Sequence, residues 1–442
     1  MRPLALAAAL AAAAGAAQAQ YLPGRHDDRI DLIRPDAPEL AAHGPHPVGV
    51  RTLELVDAGR LDVLNVAAGT RPTYDRPLTV ELWHPAAEGT EPGTAYDLTL
   101  RDGATRTFVY GRAARGAAPS TEGPFPVVIV SHGYPGNRLL MSPLAENLAS
   151  KGYVVASIDH TDSTYSDQAA FGSTLVNRPL DTKFVLDEIA RLAEPGGPLA
   201  GVADAGTAAI VGYSMGAYGA VISAGAGVTQ AGVEIPWGAP DGTLAAHLSG
   251  SDSHAELIDP RVKAVIAIAP WGWTRGFWDE DTAAGLGKPT LFVAGDADDI
   301  SGYAPGVRSL WAAGTGAERW LLTFENANHN AAAPMPAPVE SWEPVETLDF
   351  VPFEHYADPV WDSVRMNNVM QHFATAFLDW QVKGEADMAA YLDLVPAAED
   401  GVVDLAEDGT PTEDHSYWRG FPARSAVGLR LEHLAAGEAP AE

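Results

Sequence analysis

The stretch Ile210-Val211-Gly212-Tyr213-Ser214-Met215-Gly216 sets a serine between two glycines, each two residues away. An apolar run leads in, and the small residues Ala217, Gly219 and Ala220 lead out. The serine therefore falls on a sharp strand-to-helix turn, where its hydroxyl stands clear of a strained backbone and only glycine fits on either side. The N-terminus of the following helix aims free N–H groups at any oxygen that becomes charged there. The chemistry is nucleophilic attack on a carbonyl carbon, provided that a base takes the hydroxyl proton. Carboxylates that could orient such a base cluster in Gly295-Asp296-Ala297-Asp298-Asp299-Ile300. Among 13 histidines, His329 follows that cluster in the loop Phe324-Glu325-Asn326-Ala327-Asn328-His329-Asn330. His355, in an irregular stretch, and His372, in a helical one, come later.

Residues so far apart need a rigid frame, and the chain supplies an alternating one. Leu53 and Leu55 alternate with Thr52 and Glu54 from Arg51 onward, as in a half-buried strand, until Val56-Asp57 breaks the period before an Ala58-Gly59 turn. Leu78-Thr79-Val80-Glu81-Leu82-Trp83 alternates in the same way. Residues 101–123 are small, polar and glycine-rich, which predicts a surface loop with at most one short strand. Pro126-Val127-Val128-Ile129-Val130-Ser131 is continuously apolar, as in a parallel strand covered on both faces. Similar runs recur at 153–158, 208–211, 262–269, 289–294 and 320–324, separated by helical segments at 139–150, 180–192 and 215–224. A long helix over 362–380 carries Met366, Val369, Met370, Phe373, Phe377 and Trp380 on one stripe. The pattern predicts an α/β protein with a doubly wound, mostly parallel sheet, helices on both faces and loop insertions.

His132-Gly133-Tyr134-Pro135-Gly136 after one strand, and Gly212-Tyr213-Ser214-Met215-Gly216 after another, resemble the α/β-hydrolase family. Val128-Ile129-Val130-Ser131-His132-Gly133, then Leu148-Ala149-Ser150-Lys151-Gly152-Tyr153-Val154-Val155-Ala156 and Asp159-His160, are similar to its dienelactone-hydrolase and platelet-activating-factor acetylhydrolase branch. The strand Leu78-Thr79-Val80-Glu81-Leu82-Trp83-His84-Pro85-Ala86 resembles the one these enzymes carry before the core. The chain departs from both members of that branch. Dienelactone hydrolases use a cysteine nucleophile, and this chain has none; the acetylhydrolases place their acid where this chain has Ala269-Pro270.

The resemblance implies a serine esterase working through an acyl-enzyme, with Ser214 as nucleophile. In serine esterases spelt G-x-x-D-x-[IV] at the acid strand, the orienting acid is the one at the Asp298 position; Asp296 and Asp299 are the alternatives. The order Ser…Asp…His then selects His329 as base. The backbone N–H groups of Met215 and Tyr134 are expected to form the oxyanion hole, with His132 bracing the loop. Polyester hydrolases of the cutinase type also carry an aromatic residue and a methionine at these two positions. Trp271 and Trp273, with Phe277-Trp278, read either as an aromatic wall of the substrate pocket or as core under a loop. The Pro-rich stretch 330–361 reads as a lid or as a packed ornament. Asp159-His160-Thr161-Asp162 reads as a hydrogen-bonded turn in preference to a metal site. The rivals are a polyester hydrolase, a peptidase or amidase on the same fold, and a catalytically inactive hydrolase fold that binds a partner.

Composition narrows the field. In 442 residues, 58 acids face 28 bases, leaving a net charge of −30, which repels nucleic acid. The absence of cysteine removes disulfides, thiol nucleophiles and Cys-held metal. No nucleotide or zinc-protease motif is present, so the expected chemistry needs no metal and no cofactor. Met1-Arg2-Pro3, the apolar run 4–17 and Ala17-Gln18-Ala19 have the layout of a signal peptide cleaved after Ala19, implying a periplasmic or secreted protein. No run reaches the ~20 apolar residues that span a bilayer. The expected organisation is leader 1–19, irregular lead-in 20–50, catalytic domain 51–384 and an acidic extension 385–442 that docks on it. The substrate is expected to be a small or polymeric ester, with oligomeric state left open.

Overall fold

The structure, a computed structural model, describes residues 28–440; the leader expected at 1–19 lies outside them. The chain enters its main sheet through an antiparallel pair, β1 (Val48–Leu61) and β2 (Thr73–Pro85). A separate hairpin follows, β3 (Ala95–Thr99) and β4 (Arg106–Tyr110), then β5 (Ala114–Arg115) beside β1. The core strands β6 (Phe125–Ser131), β7 (Val154–Asp159), β8 (Ala203–Tyr213), β9 (Val262–Ile268), β10 (Thr290–Gly295) and β11 (Arg319–Phe324) all run parallel. β12 (Leu429–Leu434) adds an antiparallel edge. The ten strands lie in the order β12-β11-β10-β9-β8-β6-β7-β2-β1-β5.

The helices are α1 (Ser142–Ser150), α2 (Phe171–Leu192), α3 (Met215–Ser223), the short α4 (Gln230–Val233), α5 (Asp252–Leu257), α6 (Glu280–Ala283) and α7 (Arg308–Ala313), and the long α8 (Ser363–Gln381). Because side chains alternate along a strand, β6 feeds two cores. Val128 and Val130 pack with Leu144 of α1 and Met370 of α8, whereas Val127 and Ile129 pack with Leu175 of α2 and Val221 of α3. This is the doubly wound α/β-hydrolase arrangement, and its continuous apolar strands follow from being covered on both sides.

Four elements differ from the sequence expectations. β1 does not end at Ala58-Gly59: it continues to Leu61 through a bulge, with Gly59 at φ 74°. Residues 101–123 hold the second strand of a hairpin and β5 as well as loop. α2 begins at Phe171 and carries Pro179 inside it. Ser173, Asn177, Arg178 and Asp181 are buried on that helix beside the apolar Leu175, Val185, Leu186 and Ile189, so polar groups interrupt its apolar stripe. The acidic tail does more than dock, since β12 hydrogen-bonds along the whole of β11 and Trp320 stacks on His433 at 4.8 Å.

Candidate active site

Ser214 sits between β8 and α3 at φ 53° and ψ −111°, a left-handed conformation costly for a residue with a Cβ. The crowding that enforces the flanking glycines is severe. A Cβ on Gly212 would lie 2.3 Å from the Gly216 carbonyl, and one on Gly216 would lie 1.9 Å from the Ser131 carbonyl. The Ser214 N–H donates to Ile268 at 2.8 Å, and its carbonyl accepts from the Trp271 N–H at 3.3 Å, so neighbouring β9 holds the turn.

His329 Nε2 lies 3.0 Å from Ser214 Oγ, and His329 Nδ1 lies 2.9 Å from Asp298 Oδ2. Asp298 is buried, and its other oxygen accepts the N–H groups of Ile300 and Ser301, both at 2.9 Å. Burial raises its pKa, but the His329 bond, its charge and these two donors outweigh that, leaving the carboxyl below its ordinary range. Asp296 instead accepts the Asn326 N–H at 2.6 Å, and Asp299 is exposed at the cleft rim. His355 bonds the Tyr165 hydroxyl at 2.9 Å, and His372 accepts the Leu40 N–H at 3.2 Å.

Met215 opens α3 and Tyr134 follows β6 past His132-Gly133. Among the described residues neither backbone N–H donates to a protein acceptor. The Gly133 carbonyl is pinned from behind, accepting from Arg178 Nη2 at 2.9 Å and His132 Nδ1 at 2.6 Å. Arg178 also bonds the His132 carbonyl and donates to Ser163 Oγ at 2.5 Å. The Gly133–Tyr134 peptide is trans, so holding its carbonyl fixes the direction of the Tyr134 N–H on the opposite edge. His132 is thus part of the brace, kept neutral by burial first and by Arg178 second. Behind it, His160 joins Ser131 Oγ at 2.8 Å to Asp181 at 2.9 Å, and Arg76 bonds Asp181 twice at 2.9 Å. Arg76 also donates to the Thr161 carbonyl at 2.8 Å and to Asp162 at 3.1 Å, while Asp159 is held by Arg138, and no group of three metal-binding side chains occurs among the described residues.

Ser214 opens into a cleft of about 580 Å³. One expectation requires correction: Trp271 and Trp273 do not line it. Trp271 packs instead on Phe171 and Phe277, at 5.2 and 5.5 Å between ring centroids, in an aromatic shelf that includes the exposed Trp237. Among the described residues, the cleft's aromatic walls are Tyr134, Tyr213, Phe350 and Phe353, with Arg101 as its one arginine or lysine. The 330–361 stretch therefore builds a wall and also clasps the His329 loop. Asp358 accepts the Asn328 N–H at 2.6 Å, and Asn330 Nδ2 donates to the Glu354 and Ala357 carbonyls at 2.8 and 2.7 Å. Arg178, Asn330, Asp358 and Arg101 went unnoticed in the sequence. Asn330, next to His329, was the one that position alone could have flagged.

A model of the family described as platelet-activating factor acetylhydrolase, isoform II, matches residues 41–183, a stretch that ends before Ser214. No curated protein matches the chain. A solved structure, the ferulic acid esterase from Streptomyces cinnamoneus, is 26% identical with a TM-score of 0.55, over 79% of this chain and 94% of that one. With its sheet wound as these enzymes wind theirs, and with likenesses to esterases in both sequence and structure, the chain belongs to the α/β-hydrolase superfamily as a carboxylic ester hydrolase.

Proposed function

We propose that the chain cleaves esters through an acyl-enzyme on Ser214, with His329 as base and Asp298 as orienting acid. The observation that carries this reading is the unbroken relay from Ser214 Oγ to His329 at 3.0 Å and on to Asp298 at 2.9 Å. His329 Nε2 takes the hydroxyl proton as Ser214 Oγ attacks, while Asp298 holds the Nδ1–H tautomer and stabilises the imidazolium. The backbone N–H groups of Tyr134 and Met215 receive the oxyanion, each such donor being worth roughly 3 kcal/mol of barrier. The imidazolium then protonates the departing alcohol. Water, deprotonated by the same histidine, releases the acid and restores the serine.

The walls favour esters that carry a ring or a bulky chain, since Tyr134, Tyr213, Phe350 and Phe353 all line the cleft. The likeness to a ferulic acid esterase, whose named substrate has an aromatic acid, supports the same class. We also infer export, from the leader-like residues 1–19; mass spectrometry of the N-terminus from periplasm and medium would find Gln20 first.

Matched aryl esters and anilides, assayed with wild type and Ser214→Ala, test the reading. Esters should turn over, anilides should lag far behind, and Ser214→Ala should lose on the order of 10⁴-fold or more. Anilide cleavage at the ester rate would move the protein to the amidases.

A further inference from the structure

Arg101 is the one arginine or lysine that lines the cleft among the described residues, and the ester cleavage proposed above has no use for it. It sits where the β3–β4 hairpin turns, and that turn is built rigidly. The Leu100 N–H donates to the Thr105 carbonyl at 2.8 Å, and Asp102 accepts the Thr105 N–H and hydroxyl at 3.0 and 2.6 Å. A Cβ on Gly103 would stand 2.5 Å from the Tyr165 carbonyl, so the turn is pressed against the wall of the site. Thr107 Oγ1 donates to Glu340 at 2.9 Å, tying the hairpin to the stretch that forms the opposite wall.

The guanidinium lies over the Phe350 ring, 5.4 Å from its centroid, and has no ion-pair partner among the described residues. The carboxylates nearest to hand are committed elsewhere or face solvent. Asp358 accepts the N–H groups of Asn328, Val360 and Trp361, Glu354 caps Val351, and Asp299 is exposed at the rim. The rest of that wall is neutral. His355 is held at about 3 by burial, with the Arg101 charge adding to the shift, and burial keeps the Tyr165 and Tyr356 phenols protonated.

An unpaired cation facing the nucleophile's cleft is placed for an incoming anion. We propose that Arg101 selects esters bearing a carboxylate away from the scissile bond, the carboxylate docking on the guanidinium beside Phe350. The proposal rests on the esterase reading and adds the substrate's charge to it. The planar fork of arginine suits a carboxylate in two-point contact, and Phe350 beneath it limits competition from water.

Two pairs of esters test it with the full-length protein. Para-carboxyphenyl butyrate and its methyl ester place the anion on the alcohol side. The para-nitrophenyl half-ester of adipic acid and para-nitrophenyl hexanoate place it on the acyl side. Wild type should favour the anionic member of one pair by roughly tenfold or more in kcat/KM, the value of one charge-assisted bond. That preference should shrink as salt is raised. Arg101→Gln should bring the anionic-to-neutral ratio near one, Arg101→Lys should keep part of it, and Arg106→Gln, on the solvent side of the same hairpin, should keep all of it. A wild type indifferent to charge in both pairs, or an Arg101→Gln ratio equal to wild type, overturns the proposal while leaving the esterase intact. If none of the four esters is cleaved, the esterase reading itself falls.

Discussion

Replacing Asp298 by asparagine changes one atom and should disable the site, for a reason visible in its bonds. Oδ1 accepts two N–H groups, from Ile300 and Ser301, at 2.9 Å each, while Oδ2 faces His329 Nδ1 at 2.9 Å. Asparagine has one acceptor oxygen, and two backbone donors claim it. The amide NH₂ is then forced against His329, where it can only donate. The imidazole must present a bare Nδ1 and carry its hydrogen on Nε2, so it can no longer receive the Ser214 proton across 3.0 Å. Loss of the tautomer and of imidazolium stabilisation together should lower kcat on the order of 10⁴-fold, or about 5 kcal/mol of barrier. The assay is steady-state hydrolysis of para-nitrophenyl butyrate, with a thermal midpoint recorded to show that the variant folds. Asp296→Asn serves as the comparison: it keeps an oxygen for the Asn326 N–H and should stay within a few-fold of wild type. A folded Asp298→Asn retaining a tenth of the activity, or an Asp296→Asn that loses more, would refute the reasoning.

Other consequences follow from packing and charge. Gly216→Ala should destabilise by more than about 3 kcal/mol or abolish soluble protein, because its Cβ would meet the Ser131 carbonyl at 1.9 Å; a wild-type midpoint would contradict the close approach. Arg178→Lys keeps a charge but loses the fork that pins the Gly133 carbonyl. It should lower kcat about 10²-fold with KM little changed, and an equal change in both would reduce Arg178 to a structural role. His160, His355 and His372 are each held at about 3, in every case chiefly by burial. They are neutral in the fold but protonate when unfolded below about pH 6.5, so the stability they favour is full above that value. It drains as pH falls toward 3, each contributing a slope of up to ~1.4 kcal/mol per pH unit. Urea unfolding at about pH 7 and about pH 5 would read the slope, and equal midpoints would contradict it.

Sequence exposes local constraint far better than contact across the fold. The glycines around Ser214 answer to steric limits set within one turn, and the carboxylate cluster at 296–299 ends an apolar strand, so both could be read directly. The β1 bulge was hidden because Ala58-Gly59 reads as a turn, and the hairpin at residues 95–110 because the alternation of Tyr96, Leu98 and Leu100 with Asp97 and Thr99 is brief and ends in a polar, glycine-rich stretch. α2 was cut short at Pro179, since that proline and the buried Asn177, Arg178 and Asp181 interrupt the apolar stripe of Leu175, Val185, Leu186 and Ile189. Arg101 meets Phe350, and Asn328 meets Asp358, only once the insertion folds back over the β3–β4 turn. Trp271 and Trp273 mark the reverse error. Their position after β9 suggested the cleft, but edge-to-face packing on Phe171 turns Trp271 to an adjoining shelf.

The most direct test of the central claim is the identity of the side chain that carries the acyl group. Wild-type protein should be treated with a fluorophosphonate, weighed intact by mass spectrometry, then digested and sequenced by fragmentation. A single adduct on Ser214, with full loss of ester hydrolysis, is the expected result, and His329→Ala should label far more slowly. An adduct on any other residue, or turnover that persists in fully modified protein, would contradict the account.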